Sequence, residues 1–336
     1  MGALGSKQEE EAPDAPAAPR AAPAFQVERH GLLPIPLDER RGHPRQLFWV
    51  WLGGAYNYVT LAAGALPILF GLSLRVALVA VVIGNVLGAI VFGLAARPGP
   101  RTATATIVNT RAAFGHRGNL AVAAVSFFSV FGWVAVNSVL AAFALFQLFT
   151  AAGAPPSPAG KALLVALVLL AQMVIAIYGH AAVMALEPVF GIVSAVLITG
   201  LLIFIAPKID WHAGGVGELA ASTQAGTFFL ALGAMFAGPL SWTNYAADYS
   251  RYLPEDADVT HVALYSGLGM GVAGVVGSSI GALLATLVDM HDPLSNVPRL
   301  LPTWYLLLFL AAVIWGAVAN NVMNLYTAGL GLLALR

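Results

Sequence analysis

Polar side chains lie inside strongly apolar stretches of this chain, and most of them are amides, hydroxyls or indoles. They include Asn57 and Thr60, Trp133 and Asn137, Ser241 and Trp242, and the amides Asn320, Asn321 and Asn324. An indole offers a flat face for stacking, and a carboxamide both donates and accepts hydrogen bonds. Such groups persist in hydrocarbon only where they face protein or a watery cavity. The chemistry they indicate is noncovalent recognition of a planar, hydrogen-bonding ligand.

Other kinds of chemistry have little support in the composition. The chain has no Cys, and 16 Lys and Arg balance 16 Asp and Glu, so disulfides, thiolate metal sites and a nucleic-acid partner are not indicated. No nucleophile and base pair, metal constellation or phosphate-binding loop is found in any apolar stretch. We therefore expect a protein that is not an enzyme and needs no cofactor or metal. Nothing in the sequence indicates an oligomeric state.

The elements that must position these residues are membrane spans. Of the 336 residues, 59% are hydrophobic and 10% charged, and the mean hydropathy is +0.81, whereas soluble domains are about 25% charged. A bilayer core needs roughly 20 apolar residues per helix. Eight stretches fit, near 47–70, 75–96, 120–150, 162–179, 182–206, 226–247, 262–288 and 303–333. The sequence predicts an all-α, multi-pass protein of the lipid bilayer.

The first 45 residues differ from the rest, because they are rich in Pro, Ala and charge. This composition predicts a disordered tail over 1–45 before a transmembrane domain over 46–336. With the N-terminus inside, twelve Lys and Arg residues fall on the cytoplasmic side and four on the outer side. Basic loops are retained in the cytoplasm. We expect a cytoplasmic N-terminus and a protein of the plasma, or inner, membrane.

Two of the predicted spans contain helix breakers beside polar residues. The first carries Gly53-Gly54 and then Asn57, which gives it a place to unwind. The sixth carries Gly238-Pro239, and proline removes a backbone donor and clashes with the preceding turn. Interrupted helices of this kind indicate a transporter binding site at the membrane midplane. The alternatives are close helix packing at the glycines and a simple proline kink.

In the third and eighth spans the polar residues repeat at helical spacing. Trp133 and Asn137 share one helix face, as do Asn320 and Asn324. A ligand ring stacked on the indole could be read at its edge by the amides. The alternatives are that the indole is an interfacial anchor and that neighbouring helices satisfy the amides.

Glu187, followed by Pro188, is the one acid within a predicted span and away from its end. A buried carboxyl there could carry a proton. The alternative, which we favour from the sequence, is a structural carboxylate at the cytoplasmic interface that pairs with an arginine. His180 is a further candidate partner.

Five segments together resemble one transporter family. They are PIPLDERRG (34–42), RTATATIVNTRAAFGHRGN (101–119), FGWVAVN (131–137), SWTNYAADYSRYLP (241–254) and NNVMNLY (320–326). The chain resembles nucleobase-cation symporter family one, the permeases for cytosine, purines, uracil, thiamine, allantoin and hydantoin. The matches follow the family's order and spacing.

The resemblance implies a LeuT-like fold of two inverted five-helix repeats. Spans 1 and 6 are discontinuous in that fold, and substrate binds between them and spans 3 and 8. Those are the spans that the polar residues single out here. The family has twelve spans, so the resemblance also implies a transporter domain that stops after about eight of the twelve.

Site residues carry over by position in the motifs. Trp133 resembles the aromatic that stacks on the ring, Asn137 the amide at the ring's edge, and Asn324 the substrate-binding asparagine of span 8. Trp242, six residues before Asp248, resembles the arrangement of the cytosine and purine branch. The full expected substrate site is Asn57, Thr60, Trp133, Asn137, Gly238, Pro239, Ser241, Trp242 and Asn324.

The coupling-ion site resembles the family less well. Sodium-coupled members use hydroxyl side chains about five residues before the span 8 asparagine, where this chain has Val318 and Ala319. A hard cation needs several oxygen ligands. This favours proton coupling, or a sodium site built from Gly54, Asn57 and Asn320.

Asp248 and Arg251 lie after the break in span 6. They are expected to form a latch at the cytoplasmic gate, pairing with each other or with the basic loop around Arg111 and Arg117.

The sequence therefore predicts a secondary active transporter that imports cytosine or a related purine or pyrimidine base with a proton or sodium ion. One alternative is a permease of the same fold for allantoin, hydantoin or thiamine, although cationic thiamine would require a carboxylate at the site. The other is a non-transporting receptor or fragment.

Overall fold

The computed structural model describes residues 27–215 and 219–335, which form α-helices joined by turns. The helices are α1 (Arg45–Ala55), α2 (Tyr58–Ala63), α3 (Leu66–Leu69), α4 (Leu74–Ala96), α5 (Gly99–Thr102), α6 (Thr106–Asn109), α7 (Arg111–Ala151), α8 (Pro158–Ile177), α9 (His180–Thr199), α10 (Leu202–Ile205), α11 (Gln224–Ser241), α12 (Ala246–Ser250), α13 (Val259–Leu284), α14 (Pro293–Asn296) and α15 (Thr303–Ala334). Short 3-10 turns lie at Leu37–Glu39, Ala206–Lys208, Trp242–Tyr245 and Val297–Leu300. No strand occurs in the described ranges.

Seven helical segments within the described ranges are long and apolar enough to cross a membrane. They correspond to the predicted spans 2 to 8 and contain α4, α7, α8, α9, α11, α13 and α15. The third begins at Arg111, nine residues before the predicted start, and Gly115 at φ 66° kinks it there. The predicted span 1 is present as three short helices, α1, α2 and α3.

Span 1 is interrupted where the sequence predicts it. Helix α1 ends at Ala55, and α2 begins at Tyr58 with Asn57 as its N-cap. The Asn57 carboxamide oxygen accepts hydrogen bonds from the backbone amides of Val59 and Thr60. Asparagine is a strong N-cap because it satisfies amides that a helix start leaves open. The interruption is therefore stabilised by the chain itself.

Span 6 is interrupted later than the sequence predicts. Helix α11 runs through Gly238 and Pro239 to Ser241, and the 3-10 turn Trp242–Tyr245 separates it from α12. The prediction of a break at Gly238-Pro239 is wrong by about one turn. Proline removes only its own amide donor, and helical backbone follows it in this chain. The hydroxyls of Ser241 and Thr243 donate to the carbonyls of Gly238 and Leu240.

The helices pack in two groups. Helices α1 and α2, with α4, α11 and α13, form one group, whereas α7, α8 and α15 form the other. Helix α9 packs against both α1 and α15. The two broken spans therefore lie in the first group and face α7 and α15 of the second. We call the first group the bundle and the second the scaffold.

The predicted disordered tail extends too far along the chain. Residues 1–26 of that prediction lie outside the described residues, but residues 27–44 contact the helices. Glu28 forms an ion pair with Arg251 at 2.9 Å. Arg40 is 8% exposed and donates to the carbonyl oxygens of Leu253 and Pro100. Composition alone does not reveal these contacts. A charged segment becomes ordered only where buried partners bind its side chains, and here those partners are distant in the chain.

Close helix crossings depend on glycine. Helix α13 crosses α2 at Gly281, where an added Cβ would collide with the carbonyl oxygen of Leu61. Gly281→Ala is expected to lower the thermal unfolding midpoint by roughly 5 °C, because overpacking costs about 1–3 kcal/mol. Gly233 of α11 is the matched control, since a Cβ there would meet nothing within 4 Å. Unfolding followed by size-exclusion fluorescence would show this, and equal midpoints for the two variants would contradict the crossing.

Candidate functional site

A cavity lies where the two broken spans meet α7 and α15. Its volume is about 120 Å³, and a cavity of roughly 150 Å³ accommodates a benzene ring. Of the described residues that line it, none is charged. Its polar lining consists of amides, hydroxyls and indoles: Asn57, Thr60, Asn85, Ser129, Trp133, Ser241, Trp242, Asn244, Tyr245, Ser278, Asn320 and Asn324. The cavity suits one small, neutral, polar ring.

Two indoles from opposite helix groups line this cavity. Trp133 of α7 is 39% exposed and stacks on no other ring among the described residues, so its face is available. Trp242 belongs to the turn in span 6, and its ring centroid lies 6.2 Å from that of Trp51 and 5.0 Å from that of Tyr245. Neighbouring rings therefore fix the position of the Trp242 indole. Among the described residues, no ring does so for the Trp133 indole.

A row of amides crosses the cavity wall along α15. Asn324 Nδ2 donates to Oδ1 of Asn320 at 2.7 Å and to Oδ1 of Asn321 at 3.2 Å. Its own Oδ1 accepts a hydrogen bond from the Tyr245 hydroxyl at 2.6 Å. Asn324 therefore links the turn of span 6 to the scaffold while lining the cavity.

Asn321 faces the other way, into the scaffold. Its Nδ2 donates to the carbonyl oxygen of Val134 at 3.0 Å, Ser138 Oγ at 3.1 Å and Gln172 Oε1 at 2.9 Å. These bonds tie α15 to α7 and α8. For this amide, satisfaction by neighbouring helices is the correct interpretation.

The break in span 1 is closed by hydrogen bonds within the protein. The carbonyl oxygen of Gly54 accepts from Asn57 Nδ2 at 2.8 Å and from Asn320 Nδ2 at 3.2 Å. Thr60 Oγ1 donates to the carbonyl oxygen of Ala55 at 2.7 Å. The side chains of Asn57 and Thr60, which line the cavity, thus also bind the broken backbone.

Most of the predicted substrate-binding residues line the cavity, including Gly238 and Pro239 of α11. Asn137 does not line it. The side chain of Asn137 lies behind Asn320, whose Oδ1 accepts from Asn137 Nδ2 at 3.2 Å, and Asn137 Oδ1 accepts no hydrogen bond within the described ranges. Gly54, predicted for the ion site, is also absent from the lining and packs against Met323 and Trp242.

Several lining residues were missed from the sequence. Asn244 and Tyr245 lie in the SWTNY segment next to Trp242, and their spacing after the break was the available signal. Asn85 is a lone amide in the middle of α4, and its Nδ2 donates to the carbonyl oxygen of Val81 in its own helix. A single mid-span asparagine was a signal of the same kind as Asn57.

Asp248 and Arg251 are buried after the break in span 6, but their partners differ from those expected. Asp248 accepts hydrogen bonds from the backbone amide of Thr106 and the Thr327 hydroxyl, each at 2.8 Å. Arg251 is 0% exposed and donates to Glu28 Oε1 and the Tyr326 hydroxyl. The two residues were expected to pair with each other or with the loop around Arg111 and Arg117. They instead contact α6, α15 and the N-terminal segment that was predicted to be disordered.

Glu187 is buried within the protein and unpaired. It is 0% exposed, and neither carboxyl oxygen has a hydrogen-bond partner among the described residues. The expected pairing with an arginine is therefore wrong, because the helix turns this side chain toward α1 and away from the basic residues. His180, the other candidate partner, donates its backbone amide to Glu28 instead.

The sequence profile of the permeases for cytosine/purines, uracil, thiamine and allantoin matches residues 34–336 of the chain. The chain belongs to this family. Membership in the cytosine/purine permease family agrees with the seven long apolar helices, so the chain is an integral membrane protein and a transporter homologue rather than an enzyme.

Two relatives show how much of the family's length the chain covers. It is 29% identical over 311 residues to YxlA of Bacillus subtilis, which is assigned as a purine-cytosine permease, covering 90% of this chain and 64% of that one. It is 25% identical over 325 residues to the vitamin B6 transporter TPN1 of Saccharomyces cerevisiae, covering 91% and 55%. The chain thus spans about three fifths of the length of these permeases.

Solved structures of one transporter have a fold similar to that of this chain. The transporter Mhp1 of the nucleobase-cation-symport-1 family, in a closed conformation with bromovinylhydantoin bound, superposes with a TM-score of 0.72 at 16% identity, covering 92% of this chain and 74% of that one. The inward-facing conformation of Mhp1 gives a TM-score of 0.71. The predicted LeuT-like transporter fold is confirmed.

Proposed function

We propose that the protein is a secondary active transporter that imports cytosine or a related purine or pyrimidine base across the plasma membrane. The observation that carries the proposal is the uncharged cavity between Trp133 and Trp242, with the amides Asn320 and Asn324 on its wall. The indole faces can stack on a neutral ring, and the amides can donate to and accept from its edge. Family membership supports a small ring as the substrate.

The absence of charge along the described lining bears on the alternatives. Cationic thiamine would enter without a carboxylate to compensate it, which is unfavourable in a buried site. Neutral rings remain as candidate substrates. They include hydantoins, because Mhp1 is seen with bromovinylhydantoin bound. Pyridoxine is a further competitor, since the yeast relative is a vitamin B6 transporter.

Transport by this fold requires the cavity to open to each side in turn. The cavity lies between the bundle and the scaffold, so rocking one group against the other would expose it alternately. The buried contacts of Asp248 and Arg251 join the end of span 6 to α15 and α6. We assign them to the gate on the side that the positive-inside rule places in the cytoplasm. Opening that gate must break them.

The contacts of the candidate coupling-ion residues favour a proton over sodium. Gly54 presents a carbonyl oxygen that already accepts from Asn57 and Asn320. Ala319 and Val318 supply no oxygen ligand from their side chains. A sodium ion at this place would lack the several oxygens that a hard cation needs.

Uptake of radiolabelled cytosine by the full-length protein in permease-deficient cells tests the proposal. Trp133→Ala is expected to raise the concentration for half-maximal uptake by roughly 5- to 150-fold, because stacking on one base contributes about 1–3 kcal/mol. Trp304→Ala is the matched control, since that indole is 62% exposed at the start of α15 and outside the cavity lining.

Unlabelled adenine, hypoxanthine, allantoin, hydantoin and pyridoxine, added as competitors, identify the preferred ring. The proposal is wrong if no base competes, or if uptake is the same in the Trp133 variant and the wild type.

A further inference from the structure

Glu187 lies in surroundings that do not suit an ionised carboxylate. The side chain is 0% exposed, and neither carboxyl oxygen accepts a hydrogen bond within the described residues. No cation of that part of the chain forms an ion pair with it. Burying an unpaired charge is costly, so the form that suits this site is the neutral acid, with a proton on one oxygen.

The carboxyl group lies against the broken first span. A Cβ added to Gly53 would stand 2.7 Å from Glu187 Oε2, so the carboxyl occupies the space that a side chain at Gly53 would fill. One turn further along α9, Gly191 packs equally closely on Gly53. Movement of α1 relative to α9 therefore changes the surroundings of this carboxyl directly.

A second cavity lies at the start of α9, the helix that carries Glu187. Its volume is about 340 Å³, and it is lined by Arg41, Gly42, Gln46, Leu47, His180, Ala181, Met184, Ala185, Tyr249, Tyr252 and Leu253. These residues precede or begin α1, begin α9 or end span 6, which is the predicted cytoplasmic side. Met184 lies three residues before Glu187 on the same face of α9. The lining of this cavity therefore comes within one turn of α9 of Glu187.

We propose that Glu187 is the proton-binding group that couples transport to a proton gradient. The inference rests on the proposed transport function and adds the coupling site to it. One proton from outside forms an O–H bond with the Glu187 carboxylate while the protein faces outward. That bond breaks toward cytoplasmic water when the second cavity opens, and the carboxylate returns unprotonated.

The neighbouring titratable groups are compatible with this role. Tyr249 on α12 interacts with Glu187, and it also interacts with Tyr326 on α15, with Asp248 and with Tyr245. His180, at the start of α9, interacts with Arg41 and Arg251. Arg251 is ion-paired with Glu28, so it does not neutralise Glu187. The Tyr249 hydroxyl accepts and donates no hydrogen bond within the described ranges and can contact an entering water.

A sodium site at the same place fits less well. Ser194 Oγ is the next buried oxygen of this α9 face without a hydrogen-bond partner among the described residues. It is seven residues from Glu187, or roughly 10 Å along the helix axis. The two groups cannot bind one ion together, and a proton needs only one of them.

Glu187→Gln tests the proposal, because glutamine has the size of the neutral acid and cannot release a proton. The full-length protein is reconstituted in liposomes with cytosine, or adenine if cytosine is not carried. The variant is expected to retain exchange of labelled base across the membrane within about threefold. Accumulation driven by an inward proton gradient is expected to fall at least tenfold. Exchange shows that the variant is folded.

Two further variants complete the design. Glu187→Asp keeps a carboxyl and is expected to restore part of the gradient-driven accumulation. Asp256→Asn is the matched control, because that carboxyl is exposed in the turn before α13 and should leave accumulation unchanged.

Accumulation by Glu187→Gln at the wild-type level would overturn the inference, and so would accumulation that follows a sodium gradient and ignores the proton gradient. Both outcomes leave the proposed transport function standing. A wild-type protein that exchanges no base at all would instead overturn the proposed function.

Discussion

Replacement of Asn324 by alanine is expected to lower base uptake at low substrate concentration by on the order of 100-fold. The side chain would be lost from the cavity wall, and the Tyr245 hydroxyl would lose its acceptor at 2.6 Å. Asn320 Oδ1 and Asn321 Oδ1 would each lose a donor. Each polar group left unsatisfied in a buried site costs about 1–3 kcal/mol, and 1.4 kcal/mol corresponds to tenfold.

A double-mutant cycle with Tyr245→Phe separates this network from a general loss of stability. Tyr245→Phe alone is expected to lower uptake roughly tenfold, because it removes one hydrogen bond to Asn324. In the Asn324→Ala background the same change should have little further effect, since the acceptor is already absent. Asn296→Ala, at the last residue of the short helix α14 and outside the cavity lining, is the control for asparagine truncation. Fully additive effects would contradict a shared network.

Glu28→Ala is expected to lower the thermal unfolding midpoint by on the order of 10 °C. The substitution leaves the guanidinium of Arg251, which is 0% exposed, without its anion. Removing one partner of a buried ion pair costs about 3–5 kcal/mol, whereas loss of an exposed pair costs little. Unfolding of the detergent-solubilised protein gives the measurement.

Two comparisons test the cause of this loss. Glu39→Ala removes another carboxylate of the N-terminal segment, which is 41% exposed and pairs with His30, and it should change the midpoint by no more than about 1–2 °C. Arg251→Met in the Glu28→Ala background should recover part of the loss, because it removes the unpaired charge. Equal destabilisation by Glu28→Ala and Glu39→Ala would contradict a buried ion pair.

The sequence predicted the spans well because membrane helices leave a strong hydrophobic signal. It predicted the break in span 1 because Gly53, Gly54 and Asn57 combine helix breakers with a good N-cap. It misplaced the break in span 6, because the position at which a helix ends after a proline depends on side-chain hydrogen bonds. Here the hydroxyls of Ser241 and Thr243 set it.

The sequence predicted the types of residue at the candidate site but not the directions in which their side chains point. Periodicity placed Trp133 and Asn137 on one face, yet the indole lines the cavity and the amide lies behind Asn320. Nor could the sequence show that Glu187 faces a broken helix rather than an arginine. Both outcomes depend on helix rotation and on partners that are distant in the chain.

The break in span 1 has a consequence for how long a substrate stays bound. Before any ligand enters, the Gly54 carbonyl oxygen and the Asn57 and Asn320 amides already satisfy one another. A base that engages the Asn57 or Asn320 amide must exchange an existing hydrogen bond for a new one, so each contact adds little net affinity. Short residence times follow, because differences in affinity between related complexes lie mostly in the dissociation rate. If the protein transports a base as proposed, we expect this site to release its substrate readily and to favour rapid turnover over tight retention.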